Sequence, residues 1–201
     1  MSADDRVQGF HSRNLLYQQR GLDRIAAAGF VAASGGALRG PALDVRTGRG
    51  LLAIELARAG LDVVSVDLDT TEQELAALLS AEAGVEDSVH FVHGDAARLS
   101  YPDGHFGCVA MMDVLHHLDR PETVLREMVR VLSLDGIAIV AEFDEGGFDL
   151  VSSMHRQDGR EHPRSGTTLA CAQDELTRAG LQVVLRTAGH FHDVVVLRKA
   201  R

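Results

Sequence analysis

Aromatic side chains are scarce in this chain, 4% of its 201 residues, so no ring-rich stretch marks a site for a flat molecule or a lipid tail. Cysteine is limited to Cys108 and Cys171, which have no metal-binding or redox spacing. Two reduced, partly buried thiols in a cytosolic protein are the expectation. Basic residues fall short of acidic ones, 20 against 29, for a formal net charge of −9. So acidic a chain lacks the positive footprint that phosphate backbones and anionic membranes require, and nucleic acid is not an expected partner. No apolar run reaches membrane-spanning length, and the opening "MSADDRVQGF" carries no apolar stretch of the export type. Stable membrane insertion is not expected, and the expected location is cytoplasmic. Internal repeats and low-complexity tracts are missing too.

What is present is an ordinary globular balance, 45% hydrophobic and 24% charged residues, at a length that suits one α/β domain. Leu15, Leu16, Leu22, Ile25, Ala26 and Phe30 recur at helical spacing, with Gly21 placed to split the segment into two helices. After "ASGGALRGP" the pattern alternates between strand and helix. Strands are predicted at "ALDV", "DVVSVDLD", "SVHFVHGD", "FGCVAMMD" and "GIAIVAEF". Helices are predicted at "GLLAIELARAG", stopped by Gly60, and at "EQELAALLSAEAG", capped by Thr70 or Thr71 with Glu74 completing a capping box. A further helix, "RPETVLREMVRVL", has Pro121 near its first turn. A late helix, "QDELTRAG", precedes a closing hairpin of "LQVVLRTAG" and "FHDVVVLRKA". The expected fold is a Rossmann-like three-layer α/β sandwich. It has a mostly parallel seven-stranded sheet, a C-terminal antiparallel hairpin and an N-terminal helical cap.

Ligands in such sheets bind at the carboxyl ends of the strands, near the reversal of strand order. The first strand ends at Asp44, and "TGRG" then opens a helix. Gly48 and Gly50 have no Cβ, so backbone N–H groups and a ligand can approach closely, and the helix N-terminus suits a carboxylate or phosphate. The second strand ends at Asp67, at the distance beyond the glycines where a carboxylate accepts from a ribose diol. The third ends in "HGDAARL", where Asp95 can accept from an exocyclic amine and the Ala96 backbone can serve a ring nitrogen. "GRGLLA" fits a permissive Gly-x-Gly-x-x-Ala pattern, so a nicotinamide or flavin dinucleotide is one reading. S-adenosylmethionine is the other. Its ammonium suits an acid at the start of the loop, where a pyrophosphate would be repelled, so Asp44 favours it, and Asp95 favours it as an adenine-amine acceptor.

The blocks "ALDVRTGRGLLAIELARAG", "VVSVDLD", "VHFVHGDAARLSYPDGHFG" and "VAMMDVLHHLDRPETVLREMVRVLSLDGIAIVAEF" follow one another in the order found in class I S-adenosylmethionine-dependent methyltransferases. The sequence most resembles the subgroup of ubiquinone and menaquinone biosynthesis C-methyltransferases and related small-molecule enzymes, over about Ala42 to Phe143. The resemblance implies Asp44, Thr47, Gly48 and Gly50 around the methionine moiety, Asp67 at the ribose and Leu68 against the adenine. It implies Asp95 and Ala96 at the adenine edge, with Met111 and Met112, just after the fourth strand, beside the sulfonium. The chain then divides into a helical cap (1–40), a cofactor-binding core (41–142), a substrate lid with glycine hinges (143–168), and a final helix and hairpin (169–201).

One departure bears on function. Arg46 stands where the family has glycine. In a glycine-only conformation its Cβ costs on the order of 1–2 kcal/mol. Its guanidinium either pairs with the cofactor carboxylate, pairs with Asp44 in the empty site, or blocks the pocket. The expectation is a modified loop that still binds, with Arg46 among the cofactor residues. An inactive methyltransferase-fold binding or interaction module is the alternative. His116 is the candidate general base or orienting group, and Tyr17, His117, His155 and His162 are candidate acceptor contacts. The remaining histidines match no metal template, so no metal is expected. The loop "MMDV" lacks the Asn/Asp-Pro-Pro-aromatic run of DNA amine methyltransferases. The expected partner is a small-molecule methyl acceptor.

Overall fold

The computed structural model describes residues 2–118, 120–159 and 166–200. The strands are β1 (Ala42–Val45), β2 (Val63–Asp67), β3 (Val89–His93), β4 (Phe106–Met112), β5 (Leu132–Phe143), β6 (Leu181–Gly189) and β7 (His192–Lys199). The helices are α1 (Ala3–Gln18), α2 (Arg24–Ser34), α3 (Leu51–Arg58), α4 (Thr70–Glu82), α5 (Pro121–Val131), α6 (Glu145–Gln157) and α7 (Leu169–Arg178). They build one seven-stranded sheet in the order β3-β2-β1-β4-β5-β7-β6. The first five strands pair in parallel, whereas β7 lies antiparallel between β5 and β6. The order reverses between β1 and β4, which sets the binding crevice at their carboxyl ends.

Alternation along the strands divides the core. Leu43 and Val45 of β1 with Val109 and Met111 of β4 face the layer of α5 and α7. Ala42, Cys108 and Ala110 face the layer of α2 and α3. Strands covered on both sides read as continuous apolar runs, as these do. Phe10 and Tyr17 of α1 join two smaller clusters, Phe10 against α3 and α4 and Tyr17 against Phe143 at the end of β5 and α6. Cys108 is fully buried, but Cys171 is exposed rather than partly buried.

Three local expectations need correction. The cap of α4 is Asp69, whose Oδ1 accepts from the Thr71 and Glu72 N–H groups, and Glu74 instead pairs with Arg6 at 2.8 Å. A short carboxylate in extended backbone reaches the first-turn amides and complements the helix dipole. Next, β5 starts at Leu132, ahead of the expected Gly136. Pairing of Phe106 with Leu132 resumes after a register shift, and Asp135 (φ 62°) takes up the irregularity. Finally, the proposed lid begins as helix α6. Asp144 caps it, and Phe148, Val151 and Met154 recur every third residue toward the core. A Cβ on Gly147 would stand 2.5 Å from the Phe191 carbonyl, so close packing requires that glycine.

Candidate active site

At the strand switch point lies a cavity of about 690 Å³, within the usual range for small-molecule sites. The turn from β1 into α3 forms one wall. Arg46 (φ 67°), Gly48 (φ 48°) and Gly50 (φ 71°) all hold left-handed backbone. The sequence reading of Arg46 in a glycine conformation therefore holds. The two glycines differ in what they do. Gly48 is open where a Cβ would project, but its N–H donates to Asp67 Oδ2 at 3.0 Å. Gly50 donates its N–H to the Thr47 carbonyl and packs on α4, where a Cβ would stand 2.7 Å from the Ala76 Cβ. Gly50 lies outside the cavity wall. Gly50→Ala is expected to cost about 3 kcal/mol from backbone strain plus overpacking, lowering Tm by roughly 6–12 °C in a calorimetric scan. An unchanged Tm would show that the α3–α4 contact does not need the glycine.

Asp44 is 3% exposed. The Ser65 hydroxyl stands 2.7 Å from its Oδ2 and 2.7 Å from Thr47 Oγ1, giving a buried hydroxyl chain that Gln73 closes from α4. Burial pushes the Asp44 carboxyl up to about 7; the Ser65 bond opposes this and the charge of Asp67 adds to it. Asp67 spends its oxygens on the N–H groups of Gly48 and Asp69. The third strand-end carboxylate does not join them. Asp95 is exposed and accepts from the Ala97 N–H at 2.9 Å, and Ala96 is packed into the core. Leu68 is 51% exposed, and Met111 and Met112 are the last residues of β4 rather than residues after it. They point to opposite faces, so Met112 lines the cavity while Met111 is sealed in the core.

The opposite wall carries imidazoles. His116 sits on a 3-10 turn (Leu115–His117), is 3% exposed, and has its Nδ1 at 2.9 Å from Glu142 Oε2. Glu142 also accepts from the backbone N–H of His116 and of Phe143. With Glu142 Oε2 as the acceptor, the matching His116 tautomer has its proton on Nδ1 and its lone pair on Nε2. His117 lies 4.0 Å away, ring centroid to centroid, and burial, then the charges of His116 and Arg46, bring its imidazolium down to about 4. His192 has the His190 carbonyl at Nδ1 (2.7 Å) and Asp113 at Nε2 (3.0 Å). Acceptors at both nitrogens are satisfied by the doubly protonated ring. Burial is the largest influence and opposes that charge, but Asp113, the His190 carbonyl and Glu142 together outweigh it and hold His192 above the ordinary range.

Tyr17 and His155 complete the wall from α1 and α6, and His162 falls outside the described residues. The cavity therefore gathers Asp44, Arg46, Thr47, Gly48, Asp67 and Met112 together with Tyr17, His116, His117 and His155. Sequence reasoning missed Glu142, Asp113 and Arg24. The first two were findable, because they stand at or just past the carboxyl ends of β5 and β4, where the strand-end rule applies. Among the described residues no three His, Cys, Asp or Glu side chains converge for a metal ion, and no helix is long and apolar enough to cross a membrane.

Residues 43–140 match the family model of the methyltransferase domain. A ubiquinone/menaquinone biosynthesis C-methyltransferase, UbiE, of Pseudomonas aeruginosa (strain LESB58) is 31% identical over 117 residues, covering 56% of this chain and 45% of that protein. The chain thus spans about half the length of the curated relatives it matches. Among solved structures, the PH0226 protein of Pyrococcus horikoshii OT3 superposes with a TM-score of 0.72 at 20% identity, over 91% of each chain. The [4+2]-cyclase SpnF does so with a TM-score of 0.66 at 20% identity, over 86% of this chain and 79% of that one. Likeness at such identity establishes the fold alone.

Proposed function

We propose, from the premise that residues 43–140 form a class I S-adenosylmethionine-dependent methyltransferase domain, that the chain moves a methyl group to a small-molecule acceptor in the cytoplasm. A cyclase shares the fold, so the reaction has to be argued from the side chains. The observation that carries the reading is Asp44. It is a buried acid at the end of β1 whose burial disfavours its charge, and it faces the same cavity as Asp67 at the end of β2. A cation in that cavity would offset the burial, and the cofactor's amino-acid end brings one beside a nucleoside.

The cofactor fits these residues in outline. Asp44 takes the ammonium and Asp67 the ribose diol, exchanging its bond to Gly48 for the ligand. Thr47, Gly48 and Met112 border the methionine part. The Gly94 N–H bonds the Asp67 carbonyl at 2.9 Å, which brings the Asp95–Ala96 turn beside Leu68 at the end of β2. Those three residues serve the adenine, outside the enclosed space. When bound, S-adenosylmethionine supplies a methyl group already activated on a sulfonium.

The chain's own part is to hold the acceptor and to take its proton. His116 Nε2 is the base, with Glu142 fixing the tautomer and steadying the imidazolium that forms. His117, kept neutral by its surroundings, and Tyr17 and His155 contact the acceptor. The reading is tested by incubating the protein with methyl-tritiated S-adenosylmethionine and a mixture of small phenols, amines and organic acids. Label on a small molecule, lost in His116→Ala, is expected. Tight cofactor binding without transfer to any fraction, including a protein-free cell extract, would leave an inactive module.

A further inference from the structure

Two guanidiniums in the cavity wall are left without an acid bonded to them among the described residues. Five arginines line the cavity. Arg6 is held by Glu74 and the Thr71 carbonyl, Arg13 by Asp158 and Arg49 by Glu72. Arg24 and Arg46 are partly buried, and among the described residues neither guanidinium has a carboxylate or other acceptor within bonding distance. Each carries five N–H donors that water or a ligand must satisfy.

The two have different neighbours. Arg24 has its Cζ 5.6 Å from the centre of the Tyr17 ring. The charge of Arg46 acts on His117, whose ring packs against His116. The cofactor of the proposed function has one ammonium, assigned to Asp44, and one carboxylate, which answers one guanidinium. The second guanidinium needs an anion from elsewhere. Its residue is also held at φ 67°, a conformation that costs an arginine and not a glycine.

We propose that Arg46 binds an acidic group of the methyl acceptor: the acceptor is an organic anion, its carboxylate or phosphate paired with the Arg46 guanidinium while its reacting atom faces His116. Arg24 then serves the cofactor carboxylate. Arginine suits this task because its planar fork meets two oxygens of one anion at once. The assignment rests on the methyltransferase reading and narrows it to acidic acceptors.

The test is calorimetry on the full chain saturated with S-adenosylhomocysteine, titrated with benzoate, with inorganic phosphate, and with neutral benzamide as the control. The expected result is that benzoate or phosphate binds at least about tenfold more tightly than benzamide, and that Arg46→Gly removes the preference. The same variant should bind S-adenosylhomocysteine within about threefold of the natural chain, because glycine accepts this backbone. Which anion binds tells a carboxylate acceptor from a phosphate one. Anions and benzamide binding alike, or not at all, to the loaded natural chain would overturn the proposal. So would a loss of about tenfold or more in S-adenosylhomocysteine affinity in Arg46→Gly, which would give the guanidinium to the cofactor. Failure of the natural chain to bind S-adenosylhomocysteine removes the methyltransferase reading itself, and this inference with it.

Discussion

Asp44→Asn is expected to make the ligand-free protein more stable at about pH 8 and to weaken S-adenosylmethionine binding by roughly 10–100-fold. Both effects come from one buried carboxyl. Its folded value of about 7 lies above the ordinary value of 3.8, with burial the main cause. Between those values the native state holds a proton that the unfolded chain has released. Stability contributed by Asp44 is therefore complete below the unfolded value and is lost as pH rises through about 7. A shift of some three units corresponds to at most about 4 kcal/mol. Asparagine stays neutral, still accepts from Ser65, and removes this pH dependence. It also removes the counter-charge for the cofactor's ammonium. Urea unfolding at about pH 6 and pH 8, with calorimetric titration of the cofactor, measures the two arms. A variant that is less stable at the higher pH, or that binds as tightly as the natural chain, would show that Asp44 is not an acid waiting for a cation.

The second large effect is on turnover. Glu142→Gln should lower kcat by about 10²–10⁴-fold while leaving cofactor affinity within about threefold. Glu142 accepts at both oxygens, from Phe143 on one side and from His116 on the other. Glutamine cannot do both. With its amide nitrogen toward His116, the ring proton moves to Nε2 and the base is lost. Turned the other way, it leaves the buried Phe143 N–H without an acceptor. His116→Ala should cost a similar factor, and the double variant little more, because positioning residue and base act as one unit. Additive losses in the double variant would mean that Glu142 does not work through His116.

Much of this architecture was open to reading along the chain. The seven strands, the break at Gly21 and the closing hairpin follow from apolar runs bounded by turn residues, and those are local signals. Asp44 and Asp67 were legible for the same reason, as acids that end apolar strands before a glycine turn and before a helix. The α4 cap was misread because Asp69, Thr70 and Thr71 are all competent caps and only backbone geometry chooses among them. Helix α6 was hidden by two glycines near its start, which lower helix propensity; Gly147 is forced there by contact with Phe191 and Phe143. Gly50 looked like a ligand-facing glycine because the spacing is the same whether the missing Cβ makes room for a ligand or for Ala76. That Arg24 and Arg46 lack a bonded acid could not be read from sequence at all. It depends on which acids the tertiary fold has already given to Arg6, Arg13 and Arg49.

Titration of S-adenosylmethionine into the natural chain, compared at about pH 6 and pH 7.5, tests the central claim most directly. The expected result is one site per chain with affinity that rises several-fold toward the higher pH as Asp44 ionises. No binding at either pH, with binding restored by Arg46→Gly, would mean that the guanidinium blocks the crevice and that this chain keeps the fold without the chemistry.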